Sequence, residues 1–487
     1  MAIESYDLIV IGAGPAGEKG AITAASFRKR VCIIEKGHDV GGAVANTGTL
    51  PSKTLRETAL ALSGFKARRL YGVDLSLRRE ATLADFMYHE RQVSASERGR
   101  IMRSLHGYKV DLYRGAAAFE DPNTIRVSGG AGGQSADFSN DLLLRGERIL
   151  IATGSSPLRP PEFRFEDDRI HDSDEILTLD RLPKTLAIIG AGVIGSEYAC
   201  TFAALGATVH VIDGRNSLLS FLDQELSRAL TEAMQKLGIV FHWGQKVASC
   251  EAPESGQVVL TLTSGETLTT DGVLIAAGRS SNTGSLNLVK AGITPGERGL
   301  LKVNEHFQTE VPHIYAAGDV IGFPALASTG MEQARVAMCH AFDKCYKSEV
   351  ERLLPNGIYT IPEVSMVGET EESLKTKGIK FVVGKASYKQ NARGEIIGDE
   401  TGFLKLLFAR EDMKLLGVHV IGELATEVVH IGLMAMLTGS GVELFNRACF
   451  NYPTLGDLYK AAAYQAMLRV LEQPPTAPAE TPSAPAT

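Results

Sequence analysis

Two stretches of the chain carry the same pattern of glycines and an acid. The first is Gly12-Ala13-Gly14-Pro15-Ala16-Gly17, followed by Glu35. The second is Gly190-Ala191-Gly192-Val193-Ile194-Gly195, followed by Asp213. The first glycine and the acid lie 23 residues apart in both (35 − 12 and 213 − 190). The chemistry of such a unit is specific. The first glycine permits a tight turn, the second lets backbone approach a pyrophosphate, and the third lets a helix pack close to a strand. The helix N-terminus then offers N–H groups and partial positive charge to the phosphates, and the acid accepts hydrogen bonds from ribose hydroxyls. The elements that must position these residues are present twice. Apolar strands over Tyr6–Ile11 and Leu186–Ile189 run into the glycines, Ala-rich helices follow, and second strands over Val31–Ile34 and Val209–Ile212 end at the acids. The alternative, two glycine-rich turns without a ligand, leaves this agreement of five elements unexplained.

Three further segments belong with the repeat. Arg148–Gly154 and Gly272–Gly278 are apolar strands ending in small residues, and His313–Asp319 ends in Gly-Asp. Small residues at a strand end let a dinucleotide lie against the backbone, and the Asp319 carboxylate is placed to bind a polyol hydroxyl. From about Gly357 strand-like runs such as Phe403–Phe408 and Leu415–Val420 alternate with turns. Helices over Ala425–Leu437 and Gly456–Leu471 follow, which reads as an antiparallel sheet with helices. The tail from Gln473 holds five prolines among Ala, Thr, Ser and Glu; that composition cannot bury a core and predicts disorder.

Composition narrows the function classes. The chain has 487 residues, 44% apolar and 22% charged, with a net charge of −7. It is long enough for several domains. Its 50 glycines follow no period of three, which excludes a collagen-like chain. No basic stripe recommends nucleic acid or an anionic membrane as partner. The run Leu8–Ile11 is too short for a signal peptide or a membrane span, and no basic segment precedes it; the expectation is a cytoplasmic protein. Cys32, Cys200, Cys250, Cys339, Cys345 and Cys449 form no CxxC pair, so no metal site is expected and the thiols read as buried and free.

Taken together, these features resemble the flavoprotein disulfide reductase superfamily over roughly residues 5–470. Gly41-Gly42 followed by Leu50-Pro51-Ser52-Lys53 is similar to the active-site helix of that family, and Gly195-Ser196-Glu197 and Tyr452-Pro453-Thr454 are similar to two further motifs. The family's redox cysteines fall here on Val44 and Thr49, and its C-terminal histidine and glutamate on Tyr452 and Asp457. The two departures agree, because a general base toward a thiol has no task once the thiol is gone. The resemblance implies electrons that stop at the flavin and leave from it.

The resemblance also implies site roles. Gly12, Gly14, Gly17, Glu35, Lys36, Gly42, Ala116, Gly154, Asp319 and Ala327 would bind FAD, with Asp319 on the ribityl chain. Gly190, Gly192, Ile194, Gly195, Asp213, Arg215, Val247 and Gly278 would frame an NAD(P) site. Asp213 suits the 2′-hydroxyl of NAD, whereas Arg215 suits a 2′-phosphate; together they suggest that NAD and NADP are both accepted. Lys53 and Glu197 would pair beside the flavin where nicotinamide docks and carry the catalytic electrostatics. The structural alternatives are a surface helix lysine and a solvated helix carboxylate. Tyr452 and Asp457 would close the flavin pocket from a partner subunit, or else simply pack an interface.

The fold class expected is α/β, with two Rossmann-like domains and a C-terminal α+β dimerisation domain. The boundaries are 1–155 and 278–346 for FAD, 156–277 for NAD(P), 347–471 for dimerisation and 472–487 for the tail. Within the superfamily the resemblance is to soluble, flavin-dependent NAD(P) transhydrogenases, although that branch keeps one cysteine at the position of Val44. The expected activity is hydride transfer between NADPH/NADP and NADH/NAD through flavin N5, with ping-pong kinetics, in a homodimer or higher homo-oligomer. Two alternatives stand beside it: an NAD(P)H dehydrogenase reducing a quinone or another small acceptor, and a flavin-holding binding or scaffold protein.

Overall fold

Four consecutive apolar residues, Leu8–Ile11, are buried in strand β1 (Glu4–Ile11). A strand apolar on both faces belongs in the middle of a covered parallel sheet, and β1 lies there in the computed structural model, which describes residues 3–63, 83–129, 141–179 and 181–472. Contact density divides the chain into two units, one running to Asn216 and returning from Gln235 to Arg352, the other made of Ser217–Met234 and the chain from Leu353.

In the first unit β1 is followed by helix α1 (Pro15–Ser26), β2 (Val31–Glu35), α2 (Gly42–Asn46), α3 (Thr49–Leu62), α4 (Leu83–Gly107), β3 (Asp111–Arg114), β4 (Ala116–Asp121), β5 (Thr124–Ser128) and β6 (Leu142–Ile151). These strands pair in the order β3-β2-β1-β6-β5-β4, with β1 parallel to both β2 and β6. Alternation along β1 feeds two cores. Leu8 and Val10 join Ala21 of α1 on one face, and Ile9 and Ile11 join Phe119 and Val127 on the other.

The chain then leaves this sheet through β7 (Ser155–Pro157) and builds a second one. Its elements are β8 (Ile170–Asp172), β9 (Thr185–Ile189), α5 (Val193–Ala204), β10 (Thr208–Asp213), β11 (Val240–Trp243), β12 (Val247–Glu251), β13 (Val258–Leu262), β14 (Thr267–Thr270) and β15 (Gly272–Ile275), while the intervening α6 (Gln224–Lys236) belongs for most of its length to the second unit. The order β11-β10-β9-β15-β8 is wholly parallel. The antiparallel strands β12, β13 and β14 cover one face through Val258, Leu260 and Leu262. The return strand β16 (Arg279–Ser281) pairs antiparallel with β7, so exit and re-entry form one ribbon between the sheets. Strand β17 (Ile314–Ala316) then joins β6 in the first sheet, and α7 (Ala327–Ala341) packs on α1.

The second unit is an antiparallel sheet, ordered β18 (Asn356–Ile358), β19 (Val364–Gly368), β22 (Leu415–Ile421), β21 (Phe403–Ala409) and β20 (Phe381–Ser387). Its helices are α8 (Glu371–Thr376), α9 (Ala392–Ile397), α10 (Ala425–Leu437), α11 (Val442–Arg447) and α12 (Leu458–Glu472). The helix expected from Gly456 starts instead with a 3-10 turn over Leu455–Asp457. Glu472 still belongs to α12, so the expected tail begins one residue later, and 473–487 lie outside the described residues. Phe408, Phe445 and Tyr459 form the centre of the core.

A charge cluster is buried beside that core. Lys405, on β21, is 1% exposed and reaches both carboxylate oxygens of Asp223 at 2.8 and 3.0 Å, Glu371 at 2.6 Å and Glu225 at 3.1 Å. Removing one partner of a buried ion pair leaves the others uncompensated. Lys405→Ala is therefore expected to cost about 3–5 kcal/mol in urea unfolding. A cost within the range of about 0–1 kcal/mol seen for surface pairs would show that water reaches the cluster.

Candidate functional site

The two glycine units superimpose in their hydrogen bonding. Gly12 N–H donates to Ile34 O at 2.8 Å, and Gly190 N–H donates to Ile212 O at 2.8 Å. Both residues have positive φ, +103° and +110°. A Cβ on Gly12 would meet Ala152 O at 2.4 Å, and one on Gly190 would meet Ala276 O at 2.5 Å. The third glycines bring helix to strand: a Cβ on Gly17 or Gly195 would lie 1.9 Å from the carbonyl of Gly12 or Gly190. The acids close each loop. Glu35 accepts from Ala13 N–H at 2.8 Å and from Gly37 N–H at 2.7 Å. Asp213 accepts from Ala191 N–H at 2.7 Å.

At the first unit the carboxyl ends of β1, β6 and β17 frame a cavity of about 430 Å³, the crevice that an α/β sheet opens where its strand order reverses. Gly12, Gly14, Glu35, Lys36, Gly42, Ala116, Gly154, Asp319 and Ala327 all line it. Gly17 does not, because it is spent on the contact between α1 and β1. Val44 and Thr49 also line the cavity, at the break between α2 and α3, and none of its lining residues is a cysteine. Asp319 accepts from Ser155 Oγ at 2.8 Å, and Arg279 Nε donates to that same hydroxyl at 2.8 Å.

The second unit presents a separate loop. Gly192 caps α5, and Ile194 and Gly195 lie in its first turn. Arg215 points back at Asp213, with Nε at 2.9 Å and a terminal nitrogen at 2.6 Å from its two oxygens. Burial alone would raise the Asp213 carboxyl. Hydrogen bonds from the Arg215 side chain, and then from the N–H groups of Arg215 and Ala191, outweigh it and hold the group below the ordinary carboxylate range. Gln245 N–H donates to Asp213 O at 3.2 Å, and Val247, two residues on, packs against the core between the second sheet and β12–β14. Gly278 has φ of +120° at the start of the returning ribbon.

Helices α3 and α5 bring the two sets together. Lys53 lies one turn beyond Thr49 on α3, and its Nζ is 2.5 Å from Glu197 Oε2 on α5. Both side chains are largely enclosed, at 25% and 9% exposure.

Several residues at the cavity escaped sequence reasoning: Thr47, Ser155, Asp174 and Asn282. A partial signal existed, because both ribbon strands begin next to a strand-end glycine, Gly154 and Gly278. The thiol reading needs correction. Cys32, Cys200 and Cys339 are buried, but Cys250 is only partly so and Cys345 and Cys449 are exposed. Cys339 lies inside α7. Among the described residues no cluster of His, Cys, Asp or Glu could hold a metal, and no helix is long and apolar enough to cross a membrane.

Known proteins with these features are similar to the chain along most of its length. The family model described as pyridine nucleotide-disulphide oxidoreductase matches residues 6–341, and that family's dimerisation-domain model matches residues 354–463. A soluble pyridine nucleotide transhydrogenase of Mycobacterium tuberculosis is 45% identical over 97% of this chain and 99% of its own length. One from Hahella chejuensis is 41% identical over 96% and 100%. Among solved structures, the HOCl-induced flavoprotein disulfide reductase of Escherichia coli is 25% identical, covers 93% of this chain and 99% of its own, and has a TM-score of 0.83.

The glycine geometry separates packing from cavity. Gly17→Ala is expected to lower stability by about 1–3 kcal/mol through overpacking. Gly14→Ala, whose Cβ would lie 3.8 Å from Gly42 Cα, should melt like the parent while narrowing the cavity. Thermal unfolding of both variants checks this, and the reverse order would contradict it.

Proposed function

Because the chain belongs to the pyridine nucleotide-disulphide oxidoreductase family, we propose that it is an FAD-dependent pyridine nucleotide transhydrogenase that works without a redox disulfide. The observation that carries this reading is the Lys53–Glu197 pair set one helical turn from a cavity wall where Val44 and Thr49 replace thiols. The cavity suits a flavin nucleotide. Thr153 Oγ1 and Asp174 Oδ1 are buried there without a hydrogen-bond partner, and buried polar atoms of that kind ask for a ligand. FAD, when bound, supplies a two-electron carrier that accepts and returns hydride.

The chain's own residues do the rest. Gly12, Gly14 and the N-terminus of α1 receive the pyrophosphate, Glu35 the adenosine ribose, and Asp319 a ribityl hydroxyl. Lys36, Gly42, Ala116, Gly154 and Ala327 shape the walls. Gly190, Gly192, Gly195 and the N-terminus of α5 hold the nucleotide pyrophosphate, with Ile194, Val247 and Gly278 around it. Asp213 meets a 2′-hydroxyl, and Arg215, 49% exposed, is available to turn toward a 2′-phosphate. Lys53 offsets the negative charge that arrives with hydride, and Glu197 holds it in place. Donor and acceptor nucleotides use one site in turn, so the kinetics are ping-pong.

Residues 354–463, which match the dimerisation model, carry exposed Met434 and Leu437 on α10; a homodimer covers them. Tyr452 is 79% exposed. The domains assigned to this machinery are 1–155 with 278–346, 156–277 and 347–471.

The first experiment compares NADPH oxidation by a thio-NAD analogue with oxidation by a quinone. Nucleotide turnover is expected to dominate, and quinone reduction that outpaces it would favour a dehydrogenase. Lys53→Met should slow anaerobic flavin reduction by at least about tenfold, a partial version of losing an electrostatic donor. Unchanged stopped-flow rates would contradict that role. Arg215→Ala should weaken NADPH binding while sparing NADH, and equal effects on both would remove Arg215 from the specificity device.

A further inference from the structure

Asp174 follows β8 in a turn that reaches the cavity beside Thr47, at the break between α2 and α3. Its surroundings are unusual for a carboxylate. The nearest cation is Arg279 on β16, but Nε and one terminal nitrogen of that guanidinium are spent on Ser155, at 2.8 and 2.7 Å. Only the other terminal nitrogen faces Asp174, and it stops 3.6 Å short, outside hydrogen-bond reach. Oδ1 is shut off from solvent and lacks a hydrogen-bond partner. Asp172, two residues earlier, adds a like charge, although Arg159 neutralises it through a bond of 2.8 Å. From α5 comes Tyr198, whose hydroxyl donates to Ser173 O at 3.3 Å and not to Asp174. The Lys53–Glu197 pair beyond it sums to no net charge. Burial raises the Asp174 carboxyl above its ordinary range; Arg279 opposes this, the charge of Asp172 adds to it, and the Thr47 hydroxyl opposes it weakly, so the net direction stays upward.

We propose that Asp174 is a redox-linked proton site. It is a positioning residue that takes a proton from solvent when negative charge enters the cavity and releases it when that charge leaves. The inference rests on the flavin reading above. Hydride brings two electrons and one proton to the flavin and leaves it anionic. An ionised Asp174 would repel that charge, whereas a neutral carboxylic acid presents a hydrogen-bond donor toward it. Reduction therefore consumes one proton at the flavin and, over the pH range where Asp174 is ionised beside oxidised flavin and protonated beside reduced flavin, a second at Oδ1 or Oδ2. Reoxidation by the acceptor nucleotide returns that second proton to solvent.

The test is the flavin midpoint potential of the holoprotein as a function of pH, with proton uptake on dithionite reduction measured by a pH dye in weak buffer. The wild-type profile should steepen over an intermediate range, where uptake exceeds one proton per flavin, and flatten on either side. Asp174→Asn, which keeps the shape and stays neutral, should lose the steep range and show a higher potential than wild type at alkaline pH. Arg279→Gln removes the opposing cation and should shift the steep range to higher pH, which keeps the idea testable if the asparagine variant folds poorly. A featureless wild-type profile, or a steep range that persists in Asp174→Asn, overturns the proposal and leaves the flavin reading intact. A wild-type protein that binds no FAD overturns that reading, and this inference with it.

Discussion

The contact between Lys53 Nζ and Glu197 Oε2 is the interaction on which the account depends. It joins α3, which leaves the cavity wall, to α5, which begins at the second glycine loop. An amine drawn out of water loses its charge unless something holds it, and a carboxylate in the same position carries the opposite burden. Side by side, two groups of opposite formal charge offset part of each other's cost of burial. That arrangement lets charge be balanced by fixed groups alone, with no thiol to form or break a bond.

Everything that aims this pair comes from backbone geometry. The same hydrogen bonds at Gly12 and Gly190, and the same absence of a side chain at Gly17 and Gly195, set each helix against its sheet to within a contact that no Cβ could enter. The two-stranded ribbon of β7 and β16 ties the sheets together and carries Ser155 and Arg279, which hold the Asp319 carboxylate in place. Structure and chemistry are thus coupled through a few short contacts and not through the cavity as a whole.

The sequence displayed the parts whose physics is local. A glycine with positive φ against a carbonyl, an acid ending a strand and an apolar run buried on both faces each leave a mark in consecutive residues. Gly12, Gly14, Glu35, Gly154 and Asp319 were legible for that reason, whereas Lys36, Gly42, Ala116 and Ala327 came only with the family resemblance. Asp174, Ser155 and Asn282 were not, because their meaning arises only when β7 and β8 meet β16, more than a hundred residues further along the chain. Arg215 was legible as a neighbour of Asp213 but not as its bidentate partner, since side-chain direction is set by the fold. The exposure of Cys345 and Cys449 shows the limit of composition, which speaks of residue types and not of places.

The central claim is that this protein holds an electron pair on its flavin with no sulfur partner, and an anaerobic titration of the holoprotein with NADPH tests it most directly. The account predicts complete bleaching of the flavin at a single equivalent of NADPH, with no long-wavelength charge-transfer band. Consumption of a second equivalent, with the absorbance of a thiolate against the oxidised ring, would contradict it.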